Sequence, residues 1–171
     1  MLHLFKAIKT FVFDVDGVLA TELLLILESG EMARSMNSKD GYALQLAVKK
    51  GYRVAIISGG NSAAVKSRLE RLGIHDVFMS VHNKKEKLLD YVQHHGLLWD
   101  EIMYMGDDIP DYVVMQMVGL PCCPSDAVPE IKQISRYISS LPGGKGCGRE
   151  VIEKVLKLNG HWDLDTSVPS K

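Results

Sequence analysis

The stretch Phe11-Val12-Phe13-Asp14-Val15-Asp16-Gly17-Val18 constrains this chain more than any other. An apolar run of strand length ends in two carboxylates spaced two apart, and then in a glycine suited to a tight turn. Such a strand is buried, and its acids sit at the carboxyl edge, where open α/β sheets hold their ligands. Each unpaired charge there would cost several kcal/mol to desolvate. A cation, or a part in chemistry, accounts for both.

The rest of the chain alternates strand and helix. Strands are expected over 10–15, 53–57, 76–80, 101–105, 119–123 and 136–138. Helices are expected over 39–50, 62–72, 84–95, 110–118, 127–133 and 150–158, several closed by glycine. This order implies an α/β fold, a Rossmann-like doubly wound and mainly parallel sheet with right-handed crossovers. Residues 22–36 form a projecting hairpin whose first arm, Leu23 to Leu27, is apolar on both alternating faces. A hairpin standing in water keeps one polar face, so this one is expected to be covered by its own body and by another subunit. The alternative is a wholly internal strand pair. Residues 1–158 make one domain, and residues 159–171 a loose polar tail.

Net charge is −1, with 20 basic and 21 acidic residues, which argues against nucleic acid or a membrane surface as the main partner. The apolar run 23–27 is too short to cross a bilayer. The three cysteines, Cys122, Cys123 and Cys147, have no zinc-type spacing and suit a reduced, cytoplasmic protein.

Polar groups end three of the strands: Asp14 and Asp16, then Ser58-Gly59-Gly60-Asn61, then Gly106-Asp107-Asp108 with Asp111 one turn on. Lys84 opens the helix after a fourth. In a parallel sheet these ends share one edge, and the set suits a divalent cation and a phosphoryl group. Asp14 is the candidate nucleophile on phosphorus. Asp16 is the candidate proton carrier for the leaving alkoxide and then for water. Ser58 and nearby N–H groups bind a phosphoryl oxygen, and Lys84 offsets charge in the transition state and holds Asp14. Mg²⁺ is expected on Asp14, the Asp16 carbonyl and Asp107. Asp108 and Asp111 are expected behind these ligands. Lys85 competes with Lys84 for the lysine role; Lys84, 22 residues before Gly106, is favoured.

With Asp14-Val15-Asp16-Gly17, Ser58, Lys84 and Gly106-Asp107-Asp108-Ile109-Pro110-Asp111 in this order, the chain resembles the haloacid-dehalogenase phosphatase superfamily. Only residues 17–57 separate the acid pair from Ser58, too few for a cap domain. Asn37-Ser38-Lys39-Asp40-Gly41-Tyr42 and the run Gly143 to Glu150 resemble the capless sugar-acid branch, which includes 3-deoxy-D-manno-octulosonate 8-phosphate phosphatases. The resemblance covers roughly residues 8–158. It implies a homotetramer built on central hairpins, with each site closed by a neighbour, and a mobile glycine segment over 143–149 that reaches a neighbouring site. Many relatives carry an arginine where this chain has Gly60. Gly59, Gly60 and Asn61 are expected to line the substrate, with Arg68, Arg149 or Lys66 replacing that cation. The expected substrate is the eight-carbon ulosonate phosphate of lipopolysaccharide biosynthesis. The alternatives are a nine-carbon ulosonate 9-phosphate, a signalling receiver domain, and a non-catalytic assembly module.

Overall fold

The computed structural model describes residues 1–169. Eight strands form: β1 (Thr10–Phe13), β2 (Leu25–Ile26), β3 (Met32–Ala33), β4 (Arg53–Ile57), β5 (Asp76–Phe78), β6 (Ile102–Met105), β7 (Leu120–Cys123) and β8 (Tyr137–Ile138). Seven α-helices accompany them: α1 (Leu2–Ala7), α2 (Ser38–Lys49), α3 (Ala63–Arg71), α4 (Lys84–His95), α5 (Tyr112–Met115), α6 (Pro129–Ile134) and α7 (Cys147–Leu158). Six strands join one sheet in the order β5-β4-β1-β6-β7-β8, parallel throughout. The sequence does not foresee α1. The expected helix over 110–118 is shortened to a 3₁₀ turn and α5.

β1 lies in the middle, hydrogen-bonded to β4 on one side and β6 on the other. Its alternating side chains feed two cores. Phe11 and Phe13 pack with residues of α2 and α7, and Val12 packs with residues of α4 and Tyr104. Both faces are covered, which is why the strand is an unbroken apolar run rather than an alternating one. The helices start where side-chain caps allow: Asn37 accepts from Lys39 N, Ser62 from Val65 N and Asn83 from Glu86 N.

The β2–β3 hairpin leaves this body after Thr21 and returns at the Ala20–Met36 bridge. Its first arm is not covered by its own body. Leu23 is 78% exposed and Ile26 73%, so the internal strand pair is ruled out and any cover must come from elsewhere.

Two other expectations give way. Residues 159–169 are not loose. Trp162 and Val168 pack against the core, Lys49 pairs with Asp165 at 2.5 Å, and Lys50 with Asp163 at 2.7 Å. The Tyr42 hydroxyl donates to Asp165 O, and Trp162 stands edge-on to Tyr42 at 6.0 Å. The tail's acids look solvated in sequence but answer two lysines at the end of α2. Ser170 and Lys171 lie outside the described residues. The glycine segment is likewise not a free strap. Gly143 N donates to Asp126, Gly144 N to Val18 O, and α7 begins at Cys147, earlier than expected. A Cβ on Gly143 would lie 2.0 Å from Gly17 O, so the segment presses directly on the acid-bearing turn.

Replacing Trp162 by Ala should cost about 1–2 kcal/mol of stability, from its aromatic and cation–π contacts with Tyr42 and Arg149. Urea unfolding would read this as a lower midpoint at unchanged slope. An unshifted midpoint would mean that the tail is not docked.

Candidate active site

The carboxyl ends of β1, β4, β5 and β6 converge as a parallel sheet requires. Asp14 follows β1 and is tied to the sheet by its own N–H, which donates to Met105 O at 3.0 Å. One carboxylate oxygen accepts from Val15 N at 2.6 Å, and the other faces the Lys84 ammonium at 2.7 Å. Residues 15–19 then make one wide turn, closed by Ala20 N donating to Val15 O. Gly17 takes φ +77° in it, and a Cβ there would fall 2.0 Å from an Asp107 oxygen. Only glycine lets the two acidic loops approach this closely.

Lys84 is the first residue of α4, positioned by the Asn83 cap. Its ammonium bridges Asp14 and Asp111, the latter at 2.8 Å. Of the neighbouring lysines, Lys87 lies over the Phe78 ring instead. Asp111 is buried. Tyr104 O–H donates to it at 2.7 Å, and its second oxygen accepts from Asp107 N at 3.3 Å. Asp111 is thus engaged with Lys84, Tyr104 and the Asp107 loop. Asp108 is exposed and caps the 3₁₀ turn at Ile109 N. Ser58 is buried, its hydroxyl accepting from Gly60 N at 3.2 Å.

The electrostatics are unbalanced. Asp14, Asp107 and Asp111 bring oxygens within 4.8 Å of one another. Burial, and then repulsion by Asp111, push Asp14 up to about 7 against the pull of Lys84. Burial and the neighbouring acids push Asp107 up to about 8. For Lys84, burial works against the charge, but Asp14 and Asp111 outweigh it and the ammonium is held above its usual range. One ammonium therefore meets two of the three carboxylates and leaves Asp107 without a cation. An oxygen-rich cluster with negative charge in excess fits a divalent cation.

The other expected groups separate. Asn61 and Arg68 line a cavity of ≈ 1150 Å³ between the hairpin and α3. Lys66 is exposed and points to Glu70 at 4.0 Å. Arg149 does not join the site. Its guanidinium lies over the rings of Tyr42 and Trp162 and pairs with Glu153, so the docked tail takes the cation expected to meet substrate.

No family model matches the chain. The 3-deoxy-D-manno-octulosonate 8-phosphate phosphatase KdsC of Escherichia coli K12 is 33% identical over 156 residues, spanning 91% of this chain and 83% of that protein. The chain belongs to the 3-deoxy-D-manno-octulosonate 8-phosphate phosphatase family of the haloacid-dehalogenase superfamily. The family fold is shared with a 3-deoxy-D-manno-octulosonate 8-phosphate phosphatase from Moraxella catarrhalis solved in complex with a magnesium ion, a phosphate ion and a KDO molecule (TM-score 0.88, 30% identity, 92% of this chain and 90% of that one). A haloacid-dehalogenase superfamily hydrolase from Legionella pneumophila superposes at TM-score 0.90 with 35% identity, covering 93% and 87% of the two chains.

One site residue of this family member escapes a reading of its sequence. Arg34, on the return arm of the hairpin, holds the Asp16 carboxylate with two hydrogen bonds of 2.7 and 3.1 Å. Its only signal is a lone cation among small residues, and nothing local says that the hairpin folds back over the acid pair.

The raised Asp14 and Asp107 set a pH dependence. Each binds its proton more tightly folded than unfolded, so the associated stability is complete below about pH 4 and is lost as pH rises to about 8. In a chelator, these two groups should lower the melting temperature over that interval. The gain on adding a divalent cation should grow over the same range. A cation-induced gain independent of pH would contradict this arrangement of charges.

Proposed function

We propose that this protein hydrolyses 3-deoxy-D-manno-octulosonate 8-phosphate to the sugar acid and phosphate through an aspartyl-phosphate on Asp14. The observation that carries the reading is the buried Lys84 ammonium 2.7 Å from Asp14, at the edge where Ser58 and Asp107 also converge. Family membership supports the reaction class and stands against a signalling receiver.

Ser58 O–H, the N–H groups of the Gly59-Gly60 turn and Lys84 bind the phosphoryl oxygens. An Asp14 oxygen forms a bond to phosphorus as the ester P–O bond breaks, and Asp16 gives its proton to the leaving alkoxide. Asp16 then takes a proton from water as that water attacks the aspartyl-phosphate, freeing phosphate and restoring Asp14. Asp14, Asp107 and the Asp16 carbonyl would hold Mg²⁺, and its charge would offset the repulsion between carboxylate and phosphate. Lys84, fixed by Asp111, keeps Asp14 from turning away. Asp14→Asn should lower turnover by at least about 10⁴-fold while leaving the melting temperature at or above that of the natural chain. Phosphate release at the natural rate would remove Asp14 as the nucleophile.

Gly60 keeps a second substrate in view, a nine-carbon ulosonate 9-phosphate. Steady-state comparison of the two esters decides between them, and a large preference for the nine-carbon compound would overturn the eight-carbon assignment.

The exposed apolar arm supports a homotetramer assembled through its hairpins, with each site closed by a neighbour, and three unpaired buried cysteines suit a cytoplasmic protein. Ile26→Asp should shift the mass in solution to a smaller species, because a desolvated charge at a packed contact is strongly unfavourable. Light scattering after size-exclusion chromatography measures it. An unchanged mass would place the assembly contact elsewhere.

A further inference from the structure

Arg34 has no part in the chemistry above. It stands just beyond β3, on a hairpin that is otherwise exposed, yet its side chain is only 3% exposed. Nε donates to one oxygen of Asp16 and Nη2 to the other, a planar fork on a planar carboxylate. Nη1 donates back to Met32 O at 3.0 Å and fixes the plane of the group.

This pairing fits around residue 60. A Cβ at Gly60 would lie 2.9 Å from both Arg34 Nη2 and Asp16 Oδ2. Any larger residue there would force the pair to shift. The absence of a side chain at 60 is therefore what lets the hairpin's guanidinium sit against Asp16 here. Arg34 also lines the ≈ 1150 Å³ cavity between the hairpin and α3, with Asn61, Ser62 and Arg68. Arg34 is thus the residue that touches both the proton-carrying acid and this cavity. The fork occupies both oxygens of Asp16, and catalysis through Asp16 requires at least one of them back.

We propose that Arg34 is the residue that reads the substrate's carboxylate, passing its fork from Asp16 to the anionic end of a sugar acid lying in the hairpin–α3 cavity. The inference rests on the sugar-acid phosphatase reading of the site. The exchange is of like for like. One carboxylate replaces another on the same guanidinium, and the released Asp16 takes up a proton from solvent and turns toward the leaving oxygen. Arg68 adds a second positive charge to the same cavity. An ester without a carboxylate has nothing to offer Arg34 and leaves it on Asp16. Substrate choice and the freeing of the proton carrier are thus one event.

The test is steady-state kinetics of the full-length, Mg²⁺-loaded protein on two esters: 3-deoxy-D-manno-octulosonate 8-phosphate, and glucose 6-phosphate, which has no carboxylate. The ratio of their kcat/KM values is compared between the natural chain, Arg34→Ala and Arg34→Lys. Arg34→Ala should reduce the ratio about 10- to 100-fold, as expected for a lost charged two-bond contact. Arg34→Lys should recover only part of it, because an ammonium cannot reproduce the fork. A thermal melt of each variant reports that it is folded. An equal loss on both esters would mean that Arg34 acts through Asp16 alone, and an unchanged ratio would mean that it reads nothing; either overturns the proposal. If the natural chain shows no preference for the ulosonate ester, the substrate assignment is what fails. The same ratio for 6-phosphogluconate over glucose 6-phosphate then tests Arg34, a fall in Arg34→Ala supporting it and no change rejecting it.

Discussion

The ammonium of Lys84, shared between Asp14 and Asp111, is the interaction on which the rest of the site depends. It joins the end of β1, the start of α4 and the turn after β6, three places brought together only by the sheet. All three groups are buried, so none can fall back on water for a partner. Removing Lys84 would leave two buried carboxylates without their cation, at a cost of about 3–5 kcal/mol. The one cation cannot balance three carboxylates, and that excess negative charge is what makes the edge a site rather than a structural ion pair. Tyr104, buried beneath the sheet edge, supplies the O–H that keeps Asp111 facing Lys84.

A second set of contacts supports the acid-bearing turn from behind. Val18 O accepts from Gly144 N at 2.8 Å and from the Cys147 thiol at 3.2 Å. Asp40, in the first turn of α2, accepts from Arg149 N at the start of α7 and is pushed up to about 6, chiefly by burial. The run from Gly143 to Gly148 thus ties two helix starts to the turn that carries Asp16. Its glycines serve close approach. Gly143 faces the Gly17 backbone with no room for a side chain, and a Cβ on Gly148 would press on Leu19 and Asp40 at 3.1 and 3.3 Å.

Much of this was legible in the sequence, because apolar strand runs end abruptly in the groups that do chemistry. Asp14, Ser58 and Asp107 each mark the end of a buried strand, and parallel topology then requires that they meet. Lys84 was legible as the residue that opens the helix over 84–95, 22 residues before Gly106. What stayed hidden depends on elements folding back over one another. Arg34 becomes a site residue only once the hairpin's path is known, and no periodicity encodes that path. Arg149 looked free because the partner that claims it, Trp162, lies in a stretch whose composition reads as solvated. Asp163 and Asp165 carry the same false signal, since their lysines are more than a hundred positions away in sequence. A glycine-rich run has one composition whether it is loose or tightly packed, and the distinction is steric.

The sheet order has a consequence for how the molecule comes into being. β1 is the first strand to leave the ribosome, yet it lies at the centre and needs both β4 and β6 beside it. Its second edge stays open until residues 102–105 have been made. Until then the growing chain carries an apolar strand with one edge unsheltered, and central pairings this distant in sequence close slowly.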